Sequence, residues 1–164
     1  MENEEKLNAE TKDKTRILIV DDYPVIREGL AQIINRESDL LVCAEAATIG
    51  EAVKAVEKQK IDLALVDMLL DNATGIQVIK KIKILCPGII ALVFSVSDNS
   101  QYVKQAIEAG ARGYITKDEI SEEIVNAIRL ILKGQIYISH RLLKDLPKEE
   151  IDGLLAGRVQ GCCD

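Results

Sequence analysis

Four short apolar runs end on residues able to do chemistry. Ile17-Leu18-Ile19-Val20 leads into Asp21 and Asp22, and Leu63-Ala64-Leu65-Val66 ends on Asp67. The run Ile89 to Phe94 ends on Ser95, and Gly113-Tyr114-Ile115-Thr116 leads into Lys117. Each residue alone has an ordinary explanation. An Asp after a strand commonly starts a loop, Ser is a turn or cap residue, and Lys is usually a solvated strand end. Asp21-Asp22 before Pro24 reads as a helix-capping pair. Together they are three carboxylates, a hydroxyl and a cation. Carboxylates crowded into one pocket raise each other's pKa unless a cation intervenes. An all-oxygen set with few protein ligands suits Mg²⁺. Zn²⁺ would want the His and Cys that this set lacks. Ca²⁺ would want more oxygen ligands than can be placed. Such a set can take up a phosphoryl group. Asp67 attacks and becomes an aspartyl phosphate, while the metal, Lys117 and Ser95 hold the phosphoryl oxygens.

Positioning such a set needs a fold that sends every strand end to one edge. The apolar runs read as strands buried on both faces, as in a parallel sheet. A further candidate strand is Leu40-Leu41-Val42-Cys43-Ala44. Between the strands lie helical patterns. Ile26, Leu30, Ile33 and Ile34 share one face, with Pro24 tolerated in the first turn. Thr48-Ile49-Gly50-Glu51 is a capping box before Ile49, Val53 and Val56. Ile76, Ile79 and Ile82 follow a turn-rich loop at Asp71-Asn72-Ala73-Thr74-Gly75. Tyr102, Val103, Ala106 and Ile107, then Ile120, Ile124, Ala127, Ile128 and Ile131, mark the last two helices. Five rounds of strand then helix imply right-handed crossovers and a doubly wound α/β parallel sheet. In such sheets chemistry gathers at the carboxyl ends of the strands.

The totals agree with a soluble globular chain of one domain. There are 164 residues, 48% hydrophobic and 29% charged, enough to bury a core without disulfides. With aromatics at 3% and no Trp, that core is aliphatic. A net charge of −6 weighs against a basic nucleic-acid face. Scattered cysteines, no signal peptide and no run near the roughly 20 apolar residues of a membrane span point to the cytoplasm. Residues 1–15, polar and charged, read as a disordered lead-in.

The pattern from Arg16 to Gly134 resembles the receiver domain of two-component response regulators. Asp21-Asp22-Tyr23-Pro24-Val25-Ile26-Arg27-Glu28-Gly29-Leu30 and Ala109-Gly110-Ala111-Arg112-Gly113-Tyr114-Ile115-Thr116-Lys117-Asp118 are similar to the NarL/FixJ type. The resemblance implies a flavodoxin-like (βα)5 sheet of order 2-1-3-4-5. It implies that Asp67 is the phospho-acceptor. Asp21, Asp22, Asp67 and the backbone carbonyl of Leu69 would hold Mg²⁺. Ser95 matches the switch hydroxyl, Lys117 the motif lysine and Tyr114 the aromatic that rotates inward on activation. A sensor histidine kinase or a small phosphodonor would supply the phosphoryl group, and a homodimer through the first and last helices is possible for this type. The chain would be no enzyme beyond assisting its own phosphorylation and dephosphorylation.

Two departures stand out. The loop after Asp67 carries Leu70-Asp71 where the family usually has Met-Pro, which places another acid near the site. After Gly134 the family's linker and helix-turn-helix output domain would follow. Ile136 to Leu143 resembles that linker, and Leu146 to Gly157 the opening helix of the output domain. Residues 135–164 therefore read as a linker and a vestigial or truncated output segment, from which no direct DNA binding is expected. The downstream protein partner is not named by the sequence. Cys162-Cys163 reads as incidental thiols, and His140 lies outside any phosphotransfer pattern. Two rivals remain. One is a receiver-like interaction scaffold that is never phosphorylated. The other, a haloacid-dehalogenase-type phosphatase, would need an Asp where Leu69 stands.

Overall fold

The computed structural model describes residues 13–96 and 99–153. The expected disorder of residues 1–12, the output helix beyond residue 153 and the Cys162-Cys163 pair lie outside the described residues. Among the described residues six strands alternate with six helices, and a further helical stretch runs over residues 148–153, where the described residues end. The strands are β1 (Thr15–Val20), β2 (Leu40–Ala46), β3 (Leu63–Asp67), β4 (Ile90–Ser95), β5 (Gly113–Thr116) and β6 (Tyr137–Ile138). The helices are α1 (Pro24–Asn35), α2 (Ile49–Lys58), α3 (Gly75–Leu85), α4 (Ser100–Glu108), α5 (Ile120–Leu132) and α6 (His140–Leu143).

All pairings between these strands are parallel and their order is β2-β1-β3-β4-β5-β6. The flavodoxin-like order 2-1-3-4-5 is present, with one strand added beside β5. That strand falls in the stretch read from sequence as linker. β1 also starts earlier than its apolar run, at Thr15, where the lead-in was expected to continue. Its first residues pair with Leu40 and Leu41 on the neighbouring strand, which extends the ladder past the apolar core.

The sheet separates two cores, because successive side chains on a strand point to opposite faces. On one face Ile17, Ile19, Leu63, Leu65, Leu92, Phe94 and Ile115 meet Leu30 and Ile34 of α1 and Ile124, Ala127, Ile128 and Ile131 of α5. On the other, Leu18, Val20, Ala64, Val66, Ala91, Val93 and Tyr114 meet α2, α3 and α4 through Ala52, Val78, Ile79, Ile82, Val103 and Ala106. Leu142 and Leu146, after the last long helix, belong to this second core.

Helix starts follow local chemistry. Thr48 Oγ1 accepts from Glu51 N–H at 3.1 Å, but the Glu51 carboxylate turns to the N–H of Ala47 at 2.7 Å, so the expected capping box closes one residue early. A full box stands instead at Thr74 and Gln77, opening α3. The α1 cap is Tyr23, with no side-chain bond. Asp21 Oδ1 accepts the Tyr23 N–H at 2.7 Å, so the acid steadies the approach to the helix without being its cap.

Candidate functional site

The strand register brings the chemistry-bearing ends together. Val20 pairs with Val66, Asp67 with Phe94 and Ser95 with Thr116. Asp21, Asp67 and Lys117 therefore crowd one edge. The Lys117 Nζ lies 3.1 Å from Asp67 Oδ2 and 3.4 Å from Asp21 Oδ2. It also stands 5.1 Å from the centre of the Phe94 ring, a contact not foreseen from sequence. Asp21 is fully buried, Asp67 is 4% exposed and Ser95 is buried. Tyr114 is buried within β5.

The electrostatics follow from crowding. Burial pushes the Asp67 carboxyl up to about 6, and the Asp21 charge adds to the rise. The Lys117 ammonium and the Leu69 N–H, which donates to Asp67 Oδ1 at 3.2 Å, oppose it. Three carboxylates facing one ammonium leave the pocket short of positive charge.

Asp21, Asp22 and Asp67 each offer an oxygen within 4.8 Å of the others. Asp22 Oδ1 is buried without a hydrogen-bond partner, as an oxygen reserved for a cation would be. The Leu69 carbonyl is the fourth candidate ligand. Leu69 pairs with Thr74 in a single antiparallel bridge. The bonds flanking it run from Gly75 N–H to Met68 O at 2.7 Å and from Leu70 N–H to Ala73 O at 2.9 Å, so the ladder does not consume the Leu69 carbonyl. This donor set fits a hard divalent cation that keeps several waters, as Mg²⁺ does.

Two further residues shape the pocket. Gly75 packs so closely that a Cβ there would stand 2.5 Å from the Asp67 carbonyl oxygen, so only glycine lets α3 start against β3. Its place after Thr74 in the T-x-x-Q signal could have been read from sequence. Asp71, the unusual acid, gives its N–H to Asp22 Oδ2 at 3.1 Å. The neighbouring Asp22 carboxylate holds the Asp71 carboxyl above its ordinary range. Around the mouth, Tyr23, Val25, Leu69 and Val96 are exposed, an apolar rim over a charged pocket.

Known proteins resemble this chain in sequence and in fold. Residues 17–129 match the family model described as the response regulator receiver domain. The transcriptional regulatory protein YxjL of Bacillus subtilis is 34% identical over 124 residues, covering 76% of this chain and 57% of that protein. The oxygen regulatory protein NreC of Staphylococcus aureus is 33% identical over 135 residues, covering 82% of this chain and 62% of its own length. The chain thus spans about three fifths of these curated relatives. Among solved structures, a LuxR-family two-component response regulator from Aurantimonas superimposes with a TM-score of 0.79 at 33% identity, over 84% of this chain and 99% of that one. The isolated receiver domain of RcsB from Salmonella enterica, crystallised with a phosphomimetic, shares the fold with a TM-score of 0.75 at 18% identity, over 82% of this chain and 99% of that one.

Proposed function

The chain belongs to the response regulator receiver-domain family, and from that membership we propose that it is switched by phosphorylation of Asp67. The observation that carries this reading is the Lys117 ammonium, 3.1 Å from the Asp67 carboxylate, with Asp21 and Asp22 alongside. A carboxylate oxygen of Asp67 attacks phosphorus on a phosphohistidine of a sensor kinase. The phosphorus–nitrogen bond breaks, its electron pair stays on the imidazole, and that nitrogen takes up a proton. Lys117 and the Ser95 hydroxyl then hold the phosphoryl oxygens, which disperses their charge. A Mg²⁺ ion held by Asp21, Asp22, Asp67 and the Leu69 carbonyl would supply the remaining charge neutralisation. With its own phosphorylation as its only chemistry, the chain signals by shifting between two conformations, which a protein partner reads.

The domain division goes with this reading. Residues 16–134 form the receiver, and 135–164 follow it as linker and output segment. The site of action is the cytoplasm, where sensor kinases present their phosphohistidine. Among the described residues no helix is long and apolar enough to cross a membrane. Self-association through α1 and α5 would be the route to a homodimer.

One observation favours the rival scaffold that is never phosphorylated. Asp71 adds a fourth acid beside Asp22, which disfavours an approaching phosphodonor. Intact-mass analysis after incubation with acetyl phosphate and Mg²⁺ separates the two. Gain of one phosphoryl group by the native chain, lost in Asp67→Asn, is the expected result. No gain, together with no Mg²⁺ binding by calorimetry, leaves the scaffold.

A further inference from the structure

We propose that residues 137–151 form an intramolecular latch, docked on β5 and the Tyr114 core at rest and loosened when Asp67 is phosphorylated. This rests on the phospho-acceptor reading and adds to it the element that the phosphoryl group moves. The latch saturates the outer edge of β5. Tyr137 N–H donates to Arg112 O at 3.1 Å and Ser139 N–H to Tyr114 O at 3.0 Å, while Thr116 N–H donates to Ser139 Oγ at 3.0 Å. Leu142 is fully buried and Leu146 is 6% exposed, both in the core that contains Tyr114, Val103 and Ala106. Gly113 makes room for the approach, since a Cβ there would stand 2.9 Å from the Tyr137 carbonyl oxygen, and 2.7 Å from the Leu92 side chain behind it.

The attachment is weak enough to open. Beyond the two buried leucines and the three hydrogen bonds just named, it has only a two-residue strand, a four-residue helix and an Arg141–Asp118 ion pair in which both side chains are more than half exposed. Exposed pairs contribute little, and so short a helix does not hold itself together. Segments with few buried contacts open locally far below the free energy of global unfolding.

The attachment also touches the residues that phosphorylation displaces. Asp118 follows Lys117, and the Thr116 amide that holds Ser139 precedes it. Lys117 N–H donates to Ser95 O at 2.9 Å, tying the switch hydroxyl's strand to the same point. A cavity of about 230 Å³ lies between site and latch, lined by Val96, Thr116, Lys117, Asp118 and Arg141. It gives the end of β4 and the end of β5 space to shift. When Ser95 and Lys117 close on the phosphoryl oxygens, Thr116 and Asp118 are drawn towards Asp67 and away from Ser139 and Arg141. Coupling is reciprocal, so a loosened latch favours phosphorylation.

Hydrogen exchange by mass spectrometry on the full chain tests this, with intact mass confirming the phosphoryl group. Peptides covering 139–146 are expected to exchange about tenfold faster once Asp67 is phosphorylated. Gly113→Ala, which crowds the Tyr137 backbone as well as the Leu92 side chain, is expected to speed that exchange without phosphorylation. It is also expected to raise the ratio of phosphorylated to unphosphorylated chain at steady state in limiting acetyl phosphate about threefold. Arg141→Ala, a change at the surface that spares the fold, should do both to a smaller degree. A phosphorylated chain whose 139–146 exchange is unchanged or slower overturns the latch. So do variants that exchange faster at 139–146 yet reach the native share of phosphorylated chain, because the segment is then only a cover. A native chain that gains no phosphoryl mass defeats the acceptor reading itself, and the latch with it.

Discussion

The two faces of the sheet are built for different work. The face under α1 and α5 is filled by large side chains, Ile17, Ile19, Leu63, Leu65, Leu92, Phe94 and Ile115. The face under α2, α3 and α4 places Ala64, Ala91 and three valines in the sheet, with Tyr114 at one end and Leu142 and Leu146 laid over it. Strand alternation extends this division to the site. Asp67 falls on the same side as Leu63 and Leu65, so the acceptor caps the heavily packed face. Lys117, over the Phe94 ring, completes it. Ser95, Tyr114 and Thr116 fall on the other side, with the latch. Asp67 thus stands on a base of large packed side chains, and Ser95, Tyr114 and Thr116 line a face closed by smaller side chains and a short docked segment. On the proposed reading, phosphorylation works across the sheet, between a face that holds and a face that yields.

The largest effect that sharpens this contrast is on stability. Ile128 is fully buried between α5 and the sheet. Ile128→Ala is expected to lower the unfolding free energy by about 3–5 kcal/mol in urea titration, since the close-packed surround cannot collapse into the void. Leu142→Ala should cost less, about 1–2 kcal/mol, because the latch opens locally and shares the loss with its open state. Phosphorylation of the folded Ile128→Ala chain should proceed at the native rate, whereas Leu142→Ala should be faster. Equal stability losses, or a change of rate in Ile128→Ala, would break the distinction between the faces.

The next effect in size lies where the packed face ends in charge. Asp67 titrates at about 6 in the fold against 3.8 in an open chain. Its protonated form therefore contributes stability that is complete below pH 3.8 and is lost as the pH rises through about 6. At pH 8 the metal-free fold carries an ionised Asp67 that it would hold better neutral. Replacing that charge by an amide, Asp67→Asn, should raise the metal-free unfolding free energy at pH 8 by about 2–3 kcal/mol. The gain should fade towards pH 4. Millimolar Mg²⁺ should raise the native chain's melting temperature and narrow the gap. A metal-free Asp67→Asn chain no more stable than native at pH 8 would show that Lys117 alone balances the cluster.

Much of this was legible in the sequence, for a physical reason. Strands buried on both faces leave no polar alternation, so Ile17 to Val20 and Leu63 to Val66 announce themselves, and a parallel sheet fixes which end each one presents. That is why Asp21, Asp22, Asp67, Ser95 and Lys117 are gathered by the sequence pattern alone. The latch was not legible. Tyr137-Ile138 is too short for a period of two to register, and its pairing depends on β5 being bare at Gly113. Nor was the Asp71–Asp22 contact, which the loop conformation alone decides. The close approach of Gly75 to the acceptor backbone likewise belongs to packing, not to pattern.

The smallest effect concerns the rim where both faces meet solvent. Leu69 is 46% exposed and Val96 74%, one in the loop after the acceptor strand and one after the switch strand. Neither offers a group that could orient water towards an aspartyl phosphate. The Leu69 N–H is already engaged by Asp67 Oδ1, so the side chain at 69 is held two residues from the phosphorus. Leu69→Asn supplies a carboxamide there without touching either core. Autodephosphorylation is expected to quicken about 3- to 10-fold, equivalent to roughly 1 kcal/mol of barrier. Folding stability should stay within about 0.5 kcal/mol of native, as for most surface substitutions. The loss of phosphoryl mass with time, after acetyl phosphate is removed, measures it. An unchanged or slower loss would mean that water reaches the phosphorus by a path the rim does not control. Protection of the aspartyl phosphate would then come from the buried seat of Asp67, and so from the packed face alone.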